Sequence, residues 1–224
     1  MVRPLGLPFD PIERAGQTWE ERFGPASAMR AATSIFRVQQ ILLARFDEVL
    51  KPHRLTFARY EVLVLLTFSR TGELPLKVIG TRLMVHPTSV TNAIDRLMAA
   101  GYVGRRPNPN DGRGVLASIT DQGRRIVEKA TAELSGLEFG LGDLSEADRA
   151  DLFDVLKRVR LGAGDVADAV VDAGELDVLL SGHDPGRPAA VAGAVRRGAG
   201  RWPRAGCRLH DAVRRGGGPG LRAR

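Results

Sequence analysis

The stretch from Pro75 to Thr120 constrains the fold more than any other part of the chain, because two helix patterns, a tight turn and two strand patterns follow one another without a linker. Pro75 to Met84 reads as a short helix, His86-Pro87 as the turn and entry to the next, and Thr88 to Ala100 as a second helix closed by Gly101. In that second helix Val90, Ile94 and Leu97 fall at i, i+4 and i+7 and form a core face. Thr88, Ser89, Asn92 and Arg96 lie off this face, so the outward side is predicted to be polar. Tyr102 to Arg106 and Val115 to Ile119 then read as strands. Between them, Pro107-Asn108-Pro109-Asn110-Asp111-Gly112 is rich in turn formers and predicts a hairpin with a long tip.

A helix-turn-helix followed by a hairpin suits duplex DNA, whose major groove admits one α-helix while a hairpin tip reaches the neighbouring minor groove. The predicted fold class is therefore mainly α with a small β-hairpin, a winged helix-turn-helix. Short hydroxyls and free backbone amides at the start of the second helix, at Thr88, Ser89 and Thr91, suit phosphates and base edges. Asn92 matches an adenine edge, and Arg96 a guanine or a phosphate. Arg105 and Arg106 at the hairpin base are phosphate candidates, and Arg113 at the tip suits the negative potential of a narrow minor groove.

Helical patterns flank this segment. Residues 10–23, with Trp19 and Phe23, read as a short amphipathic helix. From Ala28 to Leu50 apolar residues recur at helical period over more than one stripe, so that helix needs partners on two sides, and Lys51-Pro52 ends it. Thr56 is the expected N-cap of a buried helix from Phe57 to Phe68. Thr120 caps a helix from Asp121 to about Phe139, and Ser145 with Asp148 forms a capping box for a helix through Arg160 with an apolar stripe at Leu152, Val155, Leu156 and Val159.

The formal charge of +7 has to be located before it carries meaning. From Arg187 onward ten arginines face one aspartate, a balance of +9 that leaves −2 on the first 186 residues. The overall charge is thus no argument for nucleic acid. Between Lys77 and Arg125, however, eight Lys or Arg stand against three Asp, a local electrostatic footprint of +5. From Asp165 the remaining sixty residues contain no Lys, Ile, Phe, Tyr, Thr, Asn, Gln or Met and are dominated by Gly, Ala, Arg and Pro. That composition is expected of a G+C-rich frame read past its selected end, so residues 165–224 are read as a disordered or frame-shifted tail.

One cysteine, Cys207, excludes a disulfide framework within the chain and a cysteine-rich zinc site. No apolar run approaches membrane-spanning length, and the chain is expected to be cytoplasmic. Scattered histidines, with no Gly-rich phosphate loop and no Gly-x-Ser-x-Gly motif in the body, argue against an enzyme, and no cofactor is expected.

Residues 28–160 resemble a MarR-type regulator. The resemblance is carried by Leu55 to Leu66, by the helix His86-Pro-Thr-Ser-Val-Thr-Asn-Ala-Ile-Asp-Arg-Leu97, by Gly101-Tyr-Val103, and by Asp111-Gly-Arg113 running into Ile119-Thr120 and Gly123-Arg124. It implies a homodimer with interleaved N- and C-terminal helices, two winged domains on a pseudo-palindromic operator, and a small aromatic or anionic effector that shifts DNA affinity. The expected organisation is residues 1–54 and 121–164 for dimerisation, and 55–120 for DNA. The helix bearing Trp19 is similar to one in a urate-responsive subgroup. Glu61 stands where that subgroup has Asp and Ala93 where it has Arg, so Trp19, Tyr60 and Glu61 are the candidate ligand residues. The expected function is that of a repressor released by a small molecule. The alternative is a winged-helix module whose polar helix face docks protein.

Overall fold

The computed structural model describes residues 6–109 and 111–165, without the side chains of residues 112 and 113. The expected tail therefore lies outside the described residues, apart from Asp165. Helices α1 (Pro11–Phe23) and α2 (Ser27–Leu50) lead through a 3-10 turn at Lys51–His53 to α3 (Phe57–Phe68). Strand β1 (Glu73–Pro75), α4 (Leu76–Arg82), α5 (Pro87–Ala99), β2 (Val103–Asn108) and β3 (Asp111–Ile119) follow, then α6 (Asp121–Gly136) and α7 (Glu146–Gly162). The architecture is mainly helical with one small antiparallel sheet.

The core gathers around α3. Leu63 and Leu66 are fully buried with Leu50 of α2, Ile79 of α4, Ile94 of α5 and Leu134 of α6. Truncating one such side chain to alanine costs about 2–5 kcal/mol, because the cavity closes only in part. The local boundaries have identifiable chemical causes. His86 accepts the Thr88 N–H through Nδ1 at 3.3 Å, and Thr120 Oγ1 accepts the Gly123 N–H at 3.0 Å. Ser145 and Asp148 form the reciprocal capping box at the start of α7. Thr56 occupies the N-cap position of α3 but does not cap it. Asp47 of α2 does so across the turn, its carboxylate accepting the Phe57 N–H at 2.6 Å, while the Thr56 hydroxyl accepts from Arg59.

The sheet differs from expectation in two ways. Its order is β1-β3-β2, so the hairpin gains a third strand, Glu73–Pro75, paired with Leu116–Ser118. The hairpin strands also run further than predicted, to Asn108 and from Asp111, with a register irregularity at Pro107/Asn108. The long tip is thus a short one, because a bulge lets the proline-containing segment stay paired.

Gly123 marks a close junction between sheet and helix. An added Cβ would press into the Tyr102 carbonyl oxygen and stand 2.9 Å from Ile119 Cγ1. Backbone cannot retreat as a flexible side chain can. Gly123→Ala is expected to lower stability by about 1–3 kcal/mol, the range for overpacked sites. Chemical denaturation tests this, and an unchanged midpoint would show that α6 shifts without cost.

Outside the core the helices carry a second apolar surface. Ile35, Phe36, Val38 and Ile41 of α2 and Leu152, Phe153, Val155 and Val159 of α7 are exposed, and α7 contributes no residue to the buried core.

Candidate nucleic-acid interface

Helix α5 is anchored on one side only. Val90, Ile94 and Leu97 are at most 1% exposed, which fixes the rotation of the helix against α3 and α4. Thr88, Ser89, Asn92 and Arg96 are exposed, and their side chains form no hydrogen bond or ion pair among the described residues. Thr91 behaves differently. It is half-buried and its hydroxyl donates to the Pro87 carbonyl at 3.1 Å, so it faces its own helix. The helix presents unspent hydrogen-bonding groups from a rigid mount.

The hairpin cations are not free in the same way. Arg105 of β2 donates to Asp95 of α5, Nη1 to Oδ1, at 3.2 Å. Arg106 forms a two-point fork on Glu73 of β1, Nε to Oε1 at 3.1 Å and Nη2 to Oε2 at 2.5 Å. The hydrogen bond from Arg106, more than its charge, holds the Glu73 carboxyl below the usual carboxylate range, so this pair persists through mildly acid pH. Arg113 lies on β3, and its side chain is outside the described part. Lys77, Arg124 and Arg125 are exposed around the same domain, whereas Arg82 of α4 is half-buried, and desolvation lowers its pKa. Sequence reasoning missed Asp95 and Glu73. Both partnerships join residues distant along the chain and become visible only once the sheet order is known.

The three candidate ligand residues are dispersed. Tyr60 is buried, its hydroxyl 2.9 Å from Thr131 Oγ1 and its ring 5.9 Å from that of Phe57. Glu61 is half-buried and forms no hydrogen bond or ion pair among the described residues, and burial pushes its carboxyl up. Trp19 packs on Phe23 of its own helix at 5.0 Å. Arg30 of α2 anchors that helix, bonding Glu20 at 2.7 Å and Glu13 at 3.2 Å. No hydrogen bond or ring contact joins Trp19 to Tyr60 or Glu61 among the described residues.

Among the described residues no helix is long and apolar enough to cross a membrane, and no group of three or more His, Cys, Asp or Glu is placed to hold a metal ion.

Comparison with known proteins agrees with this geometry. The model of the MarR family matches residues 57–115. An uncharacterised HTH-type transcriptional regulator of Bacillus subtilis, YhbI, is 30% identical over 58% of this chain and 77% of its own. Among solved structures, Sco5413, a MarR family transcriptional regulator from Streptomyces coelicolor, is 55% identical, with a TM-score of 0.60 over 63% of this chain and 98% of that one. A mutant of MarR from E. coli, solved with operator DNA, is 28% identical, with a TM-score of 0.54 over 60% of this chain and 96% of that one. With a polar α5 on an apolar mount, a three-stranded wing and these relatives, the chain belongs to the MarR family of transcriptional regulators.

Proposed function

We propose that the protein is a sequence-specific DNA-binding repressor that works in the cytoplasm as a homodimer on a pseudo-palindromic operator and is released by a small molecule, and that it is not an enzyme. The observation that carries this reading is α5, whose Thr88, Ser89, Asn92 and Arg96 stand outward without internal partners while Val90, Ile94 and Leu97 lock the opposite face. Such a ridge enters a major groove with its donors and acceptors uncommitted to other protein groups, so only water has to be displaced from them. In this reading Arg105 and Arg106 are assigned to the phosphates that flank the groove, and Arg113 to the adjacent minor groove. The mutant MarR from E. coli solved with operator DNA supports the DNA-binding reading.

Dimerisation rests on the exposed apolar faces of α2 and α7, a surface that a second copy covers. Residues 1–54 and 121–164 form the dimer unit in this reading, and residues 55–120 form the winged domain. The effector binds where the two meet. Glu61, half-buried on α3, lines that junction in this reading. Trp19 offers exposed aromatic surface, whereas Tyr60 is buried and takes part only through the packing beneath the site. A bound effector favours a spacing of the two α5 helices unlike the roughly 34 Å of one helical turn.

Gel shifts on the region upstream of the protein's own reading frame, at physiological salt, test the reading. A discrete complex that competes away with the specific duplex, and not with an unrelated one, is expected. Arg113→Ala is expected to weaken this complex and to flatten its salt dependence by roughly one phosphate contact per protomer, a log–log slope change of about 0.9 each. Unchanged affinity and slope would remove the wing from the mechanism.

A further inference from the structure

Asp95 and Glu73 stand out because each places a carboxylate on an arginine of β2, the strand that leads into the hairpin tip. Asp95 belongs to the outward ridge of α5, in line with Thr88 and Asn92 at i, i+4 and i+7. A carboxylate there faces a polyanion. It is also poorly placed for the helix itself, one turn before the end at Ala99, where the macrodipole disfavours negative charge. Neither burial nor helix electrostatics explains it, since Asp95 is 55% exposed. What Asp95 does touch is Arg105, whereas Glu73 of β1 grips Arg106, the next residue of β2, on the opposite face of the sheet.

We propose that Asp95 and Glu73 are specificity-determining positioning residues that occupy, in cis, the phosphate-binding ends of Arg105 and Arg106 and so suppress binding to DNA of unrelated sequence. The idea rests on the DNA-binding reading above. Each pair is electrically neutral, so two of the local cations add little to the non-specific term, which grows with every phosphate neutralised. On the correct operator the base contacts of α5 bring the hairpin close enough for Arg105 and Arg106 to share a phosphate with their carboxylates. On a wrong sequence the carboxylates oppose close approach, and the guanidiniums stay engaged within the protein. Discrimination thus comes from a repulsive element set beside the attractive ones. Glu73 can serve this purpose because β1 pairs with β3 and brings its side chain to the arginine of β2.

The test uses the full chain and two duplexes, one from the upstream region and one unrelated, with affinity measured between 50 and 300 mM salt. Asp95→Asn and Glu73→Gln keep shape and remove charge, and exposed ion pairs contribute little to stability, so both variants fold. Each is expected to bind the unrelated duplex about 3- to 10-fold more tightly at 100 mM salt. Each is also expected to steepen that duplex's log–log salt slope by about 1 for each freed cation. Affinity for the upstream duplex changes less, so the specificity ratio falls. Unchanged affinity and slope on the unrelated duplex, with a wild-type melting curve, overturns the proposal. Equal loss of binding to both duplexes also overturns it, because the carboxylates are then mere supports. Failure of the wild-type chain to bind either duplex overturns the DNA-binding reading along with it, whereas an effect of the variants alone separates the two.

Discussion

Val155→Asp together with Val159→Asp is expected to abolish the dimer and to lower operator affinity by at least about 100-fold. The two valines are 47% and 60% exposed on α7. Each apolar side chain of this size contributes about 1.5–3 kcal/mol when fully buried, and two-fold symmetry makes the double substitution act at four places. Placing carboxylates there adds the cost of burying charge without a partner. A monomer has one α5 and cannot span both half-sites, so the loss at the interface passes directly to the operator. Sedimentation velocity and a parallel operator titration read the two effects. A variant that stays dimeric at micromolar concentration with wild-type affinity would place the interface elsewhere.

What the sequence made legible is what depends on neighbours along the chain. The helical face of Val90, Ile94 and Leu97, the start of α5 at His86-Pro87, the caps at Thr120 and Ser145, and the polar character of α5 all follow from spacings of a few residues, and the structure has each of them. Features set by distant partners were not legible. Strand β1 is three residues long and includes Pro75, too little for any periodicity, and it exists because β3 offers it a free edge. Asp47 replaces Thr56 as the cap of α3 because the turn at Lys51–His53 folds α2 back on α3. Arg105 and Arg106 looked like open phosphate ligands because nothing local reveals Asp95 or Glu73 opposite them. Within the candidate site, sequence reasoning found the groups on α5. It did not find the carboxylates that hold the wing cations.

Asn92 and Arg96 allow the roles of reading and anchoring to be separated. Both are exposed on α5 and free of internal partners, and neither belongs to the core face, so alanine at either position leaves the fold intact. A bidentate contact to a base edge contributes about 1–3 kcal/mol of discrimination, and the dimer makes it twice. Asn92→Ala is therefore expected to weaken operator binding by about 2–6 kcal/mol, roughly 30-fold to 10⁴-fold, with relaxed base preference at one symmetric pair of positions. Its salt slope stays at the wild-type value, because an amide neutralises no phosphate. Arg96→Ala discriminates between two assignments of the guanidinium. If Arg96 binds guanine, the loss resembles that of Asn92→Ala in size and is confined to particular base pairs. If it binds phosphate, affinity falls alike on operator and unrelated duplex, and the slope drops by about 0.9 per protomer. Binding curves on a set of single-substitution operators at several salt concentrations measure both quantities at once. Wild-type affinity in both variants, on every duplex, would mean that this face of α5 is not what meets DNA.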